Sequence, residues 1–127
     1  ILYHSDSRRQ TVRAYSVFAD GSVSAWRAFA SVTDGIPDGL AVAVDGSVWV
    51  ANADGGCVAV FEPDGSKRAE IPVPLPMVTS VCFGGANLKD LYVVTGSKGG
   101  PHENCGTIYR MPAPVAGLPL AAAAIPL

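Results

Sequence analysis

Short oxygen-bearing side chains are the main chemical resource of this sequence. Asp38, in Pro37-Asp38-Gly39, and Thr79, in Val78-Thr79-Ser80, each open an apolar strand-like run, while Asp6, Asn52 and Thr95 each close one. Carboxylate, amide and hydroxyl oxygens suit a hard divalent cation, whereas a thiolate-loving metal needs convergent Cys or His. No such convergence is present. Cys57, Cys82 and Cys105 are an odd number without CxxC spacing, and neither His4 nor His102 has a motif tying it to a thiol. A disulfide framework, a zinc site and a catalytic cysteine are therefore unsupported. The thiols read as buried or half-buried residues of a reducing compartment, so the expected location is cytoplasmic. Plainer roles compete at every oxygen position: Asp38 as a turn aspartate, Thr79 as a strand former, Asn52 and Asp6 as turn caps. Arg8 and Arg9 read as a solvated turn, His4 as half-buried, and His102 and Glu103 as exposed in a polar loop. Trp26, Trp49 and Tyr92 read as packing aromatics.

The elements that position these residues follow from punctuation and period. The 127 residues are 49% hydrophobic and 16% charged, which excludes a disordered tail. A formal net charge of −2 gives no electrostatic case for a nucleic-acid partner. No apolar run is long enough for a membrane span, since the longest, Leu118–Leu127, is broken by Pro119 and Pro126. Fourteen Gly and ten Pro cut the chain too finely for long helices. Val12, Ala14 and Phe18, then Val48 and Val50, then Val58 and Val60, alternate as strand residues do. Asp20-Gly21, Asp45-Gly46 and Asp64-Gly65 mark turns.

A unit recurs. Aromatics at Tyr3, Trp49 and Tyr92 stand 46 and 43 residues apart inside similar strands. Strands over 39–44 and 79–83 precede the second and third of them, and strands over 24–30 and 67–73 close the first two units. Four strands in about 40–45 residues make a β-propeller blade. A β-sandwich is the rival all-β reading, but it gives no reason for an aromatic to recur. We therefore expect an all-β chain of about three four-stranded blades: 1–33 lacking its inner strand, 36–75, and 77–127. The start at Ile1, already on an apolar run, reads as truncated or processed. Antiparallel pairing would set Asp38 and Thr79 side by side at the mouth of a central channel. Asp6, Asn52 and Thr95 would lie on the same face, further out.

Gly35-Ile36-Pro37-Asp38-Gly39-Leu40, followed by Asp45-Gly46-Ser47-Val48-Trp49-Val50-Ala51, resembles a signature of the regucalcin, gluconolactonase and luciferin-regenerating-enzyme family. Thr79-Ser80-Val81-Cys82-Phe83-Gly84-Gly85, followed by Leu91-Tyr92-Val93, is similar to the next signature of that family. The resemblance implies half of a six-bladed propeller with one divalent cation, calcium, zinc, magnesium or manganese, on the channel axis. It implies hydrolysis of a small-molecule sugar lactone or related ester, with Asp38 as metal ligand and general base. Thr79, Asn52 and Asp6 remain candidates for substrate binding or channel lining. The family's glutamate and asparagine ligands match no position here, so the chain by itself is expected to be inactive. It would pair with a missing N-terminal half, or with a second copy of itself to close a ring. The competing function is a non-catalytic propeller module that binds calcium or a protein.

Overall fold

The structure is a computed structural model and describes residues 1–97 and 106–121. The short alternating runs become ten strands: β1 (Leu2–Asp6), β2 (Thr11–Tyr15), β3 (Arg27–Ser31), β4 (Ile36–Val42), β5 (Val48–Ala53), β6 (Cys57–Phe61), β7 (Lys67–Pro72), β8 (Val78–Gly84), β9 (Asp90–Thr95) and β10 (Ile108–Pro112). They form three antiparallel sheets in the orders β1-β2-β3, β4-β5-β6-β7 and β8-β9-β10. The only helical element among the described residues is one 3-10 turn, Ser7–Arg9.

The recurring aromatics mark equivalent strands. Trp49 on β5 and Tyr92 on β9 each follow an inner strand, β4 or β8, and Tyr3 on β1 holds the same place in the first sheet. Among the described residues no strand lies on the inner side of β1. The third sheet has three strands there, one fewer than the repeat predicts. Residues 113–121 return instead to the second sheet, where Leu118 N–H donates to Val42 O at 2.8 Å and Gly117 bridges Ala43. Residues 122–127 lie outside the described residues.

The inner strand expected over 39–44 runs from Ile36 to Val42, and two boundaries around Phe18 also differ from expectation, each for a local reason. The alternation from Val12 to Phe18 stops at Tyr15, and a Val17–Val23 bridge closes a small hairpin tip that leaves Phe18 54% exposed. The strand expected over 24–30 therefore begins at Arg27. Trp26 is not a core aromatic: it is 46% exposed, with the Arg13 guanidinium 4.4 Å from its ring centroid. A cation on the ring face substitutes for burial there.

The core lies between sheets. Val12, Ala14, Phe29, Val48, Val50, Ala59 and Phe61 join the first sheet to the second. Trp49, Val58, Val60, Val78, Val81, Leu91 and Val93 join the second to the third. All of β5 and β6 is buried, because the second sheet is covered on both faces. Each such Val or Leu contributes roughly 1.5–3 kcal/mol relative to exposure. Trp49 meets Phe83 edge-on at 5.3 Å.

Three Asp-Gly-Ser turns share one hydrogen-bond pattern. Oδ1 of Asp20, Asp45 and Asp64 accepts from the amide and the hydroxyl of Ser22, Ser47 and Ser66, at 2.6–3.0 Å. The serine hydroxyls hold Asp20 and Asp64 below the usual aspartate range. At Asp45 burial is the largest influence and acts upward, but Ser47 and Arg68 together outweigh it, and the result is again a lowered value. A carboxyl whose folded-state value is depressed stabilises the fold above its unfolded-state value of about 3.9 and loses that contribution as pH falls through the folded value. Thermal melts from pH 7 to pH 2 should therefore show a loss of stability confined to the region below pH ~4. In Asp20→Asn/Asp45→Asn/Asp64→Asn that acid limb should be shallower; an unchanged limb would place the acid sensitivity elsewhere.

Candidate active site

Asp38 is displayed by a β-bulge. Pro37 pairs with Asn52 and Leu40 with Val50, so Asp38 and Gly39 together stand opposite Ala51. The same irregularity recurs on β8, where Val78 pairs with Thr95 and Ser80 with Val94, leaving Thr79 as the extra residue. A bulge bends its strand and re-aims the side chains it carries. The two inner strands abut at this level: a Cβ on Gly39 would stand 2.5 Å from Ser80 Oγ and 2.8 Å from Ser80 Cα. Only glycine permits that approach. Asp38 is exposed, and its carboxylate has no hydrogen bond or ion pair among the described residues. Thr79 is half-buried, and its hydroxyl donates across its own bulge to Val94 O at 3.2 Å.

The turn between β1 and β2 is tied to the Asp38 segment by three side chains. Ser5 Oγ donates to Asp38 O at 2.6 Å, Ser7 Oγ to Pro37 O at 2.9 Å, and Gln10 Nε2 to Gly35 O at 2.8 Å. Each such bond is worth roughly 0.5–1.5 kcal/mol, and together they fix the backbone that carries the carboxylate. The sequence reading missed Ser5, Ser7 and Gln10 because their partners lie 25–33 residues away and leave no local signal.

Asp6 caps the 3-10 turn through Oδ1, which accepts from Arg9 N–H at 3.2 Å, and its Oδ2 pairs with Arg13. Asn52 is 2% exposed. Its Nδ2 donates to Asp34 O at 3.1 Å and to Cys57 Sγ at 3.5 Å, while Oδ1 is buried without a hydrogen-bond partner among the described residues. The amide is wedged between Gly35 and Gly55, whose Cβ atoms would each come within 2.1 Å of it. Thr95, also buried, donates its hydroxyl to Thr107 O at 2.9 Å. The structure thus brings Asp38 beside the Thr79 bulge, while Asp6, Asn52, Thr79 and Thr95 all have their side chains engaged in local hydrogen bonds or ion pairs.

The thiols divide. Cys57 is buried, and burial pushes its pKa up, with the Asn52 hydrogen bond opposing. Cys82, expected to be at least half-buried, is exposed, because its position on β8 faces an open groove. His4, on the free edge of β1, is likewise exposed rather than half-buried. His102, Glu103 and Cys105 lie outside the described residues.

A divalent cation takes six to eight oxygen ligands. No group of three or more His, Cys, Asp or Glu side chains converges among the described residues. Asp38 offers one carboxylate, so these residues do not by themselves fit a resident cation. Beyond Asp38 along the inner strands runs an apolar groove of about 640 Å³, walled by Leu40, Val42, Val81 and Phe83, with Leu2 and Leu118 also lining it. No described helix is long and apolar enough to cross a membrane.

Repeated antiparallel sheets packed face to face define a propeller-type protein, and the Asp38 carboxylate, unpaired among the described residues, is bulged out where an inner strand begins. The family model described as SMP-30/Gluconolactonase/LRE-like region matches residues 1–97, and the chain belongs to that family. It is 35% identical over 131 residues to pentonolactonase XacC of Haloferax volcanii, covering 93% of this chain and 45% of that protein. It is 38% identical over 96 residues to 6-deoxy-6-sulfogluconolactonase of Pseudomonas putida, covering 73% of this chain and 33% of that protein. Among solved structures, a luciferin-regenerating enzyme superposes with a TM-score of 0.80 at 29% identity, over 91% of this chain and 42% of that one. The chain therefore spans less than half the length of these relatives.

Proposed function

We propose that this chain is the C-terminal part of a sugar-lactone hydrolase in which Asp38 is the general base. The observation that supports this most is the Asp38 carboxylate itself: exposed, unpaired among the described residues, and held by its backbone rather than by its side chain. A carboxylate so placed can accept a proton from water as the water oxygen bonds to the lactone carbonyl carbon. The ring C–O bond then breaks, the ring oxygen takes a proton, and a hydroxy acid leaves. The similarity to two proteins named as lactonases agrees with this chemistry. Calcium, zinc, magnesium or manganese would need oxygens from beyond these residues, with Asp38 as the ligand the described residues contribute. The apolar groove is the face on which the rest of the ring, or a second copy of the chain, would close.

The test compares two proteins. The full-length protein should hydrolyse D-glucono-1,5-lactone or a pentonolactone, with activity lost to EDTA. The 127-residue chain alone should show no turnover, and calorimetry should give calcium binding no tighter than about 1 mM. Turnover by the isolated chain at the full-length rate would overturn the fragment reading. Ligand binding by the full-length protein without any turnover would favour the non-catalytic module.

A further inference from the structure

We infer that the β1–β2 turn selects lactones bearing a second, anionic group, and that Arg8 and Arg9 hold that group; the inference rests on the hydrolase reading. The turn is fixed at both ends. Asp6 caps it, Gln10 closes it in the left-handed conformation at φ 52°, and Ser5, Ser7 and Gln10 tie it to the carbonyls of Asp38, Pro37 and Gly35. Arg8 immediately follows Ser7, whose hydroxyl lies 2.9 Å from the carbonyl of the residue preceding Asp38. The backbone that carries Arg8 and Arg9 is therefore anchored beside the segment that carries the candidate base.

Both arginines are exposed, and neither pairs with an acid among the described residues. Their nearest acid in sequence is unavailable, since Asp6 is taken up by Arg13 and by the Arg9 amide. Elsewhere among the described residues Arg68 pairs with Glu62 and Asp45, Lys67 with Glu70, and Arg110 with Asp90, while Arg27 and Lys89 stand without an acid partner but singly rather than as a pair. The chain as a whole is slightly acidic, with a formal net charge of −2. A neutral sugar offers a guanidinium only hydroxyl acceptors. A carboxylate, sulfonate or phosphate offers two oxygens in the geometry that the guanidinium fork matches, in charge-assisted bonds about twice as strong.

The test uses stable product anions, so that it does not depend on turnover. Calorimetry on the full-length protein should compare gluconate, which has only the carboxylate released by ring opening, with glucarate and 6-phosphogluconate. At least one of the latter two should bind about tenfold or more tightly than gluconate, and which one does identifies the extra group as carboxylate or phosphate. In Arg8→Ala/Arg9→Ala that ratio should collapse towards one, and Arg8→Lys/Arg9→Lys should keep part of it. Circular dichroism confirms that the variants are folded, as expected for exposed side chains. A wild-type ratio near one overturns the inference, and so does a preference that survives the double alanine change. If no lactone is turned over at all, the hydrolase reading fails while the binding ratio still decides the role of the arginines.

Discussion

Asp38→Asn in the full-length protein is expected to lower kcat for lactone hydrolysis by about 10³-fold, within the range general-base catalysis supplies. The amide keeps the size of the side chain and the bulge that presents it, but it cannot accept a proton. Because the carboxylate makes no hydrogen bond among the described residues, the variant with divalent cations removed by chelation should melt within a degree or two of wild type treated the same way, as surface changes of under ~0.5 kcal/mol do. A fall in kcat with little change in KM is the signature of a group that acts in the transition state. Asp38→Glu, which restores the carboxylate displaced by one methylene, should recover part of the rate. Activity in Asp38→Asn within tenfold of wild type would remove Asp38 from the chemistry.

Gly35→Ala should be among the most damaging single-methyl changes at the described residues. Gly35 has φ +141°, and a Cβ there would stand 2.1 Å from Asn52 Oδ1 and 2.7 Å from both Ala53 O and Gly55 N. Two of these three obstacles are backbone atoms in a buried strand end and its turn, so they cannot swing away. Backbone strain of 1–3 kcal/mol and the loss of the Asn52 packing should together cost about 3 kcal/mol or more. Gly21→Ala is the control, with φ +83° but nothing within 4 Å of the added methyl. It should cost only the ~1–2 kcal/mol of the left-handed conformation. Equal denaturation midpoints for the two variants would show that the Asn52 wedge contributes nothing. Gly35 also accepts the Gln10 bond, so activity should fall alongside stability.

Much of the scaffold can be read from single segments. The Val48–Phe61 run, the Asp-Gly turns and the recurring aromatics are local patterns, and each lies where the period and turn chemistry put it. The family signature brings Asp38 to notice for the same reason, since it is contiguous. What escapes the sequence is set by partners far along the chain. Neither bulge has a sequence cue, because a bulge is a mismatch between two strands and not a property of one. Trp26 has the character of a core residue, yet it lies at the surface with the Arg13 guanidinium over its ring. Ser5, Ser7 and Gln10 look like ordinary turn residues until the second sheet is packed against the first.

Those three bonds run from one sheet to the strand of another, and this has a consequence for how such proteins can change. The placement of Asp38 is set by the distance between sheets, so the repeating unit is not interchangeable with respect to the chemistry. A first sheet from another propeller could bury the same valines and phenylalanines and still leave the carboxylate adrift if its turn lacked hydroxyl and amide donors at these positions. Grafting or recombining such proteins should therefore break between Gly35 and the preceding turn in activity well before it breaks in folding. The natural unit of inheritance for this site is a seam shared by two sheets.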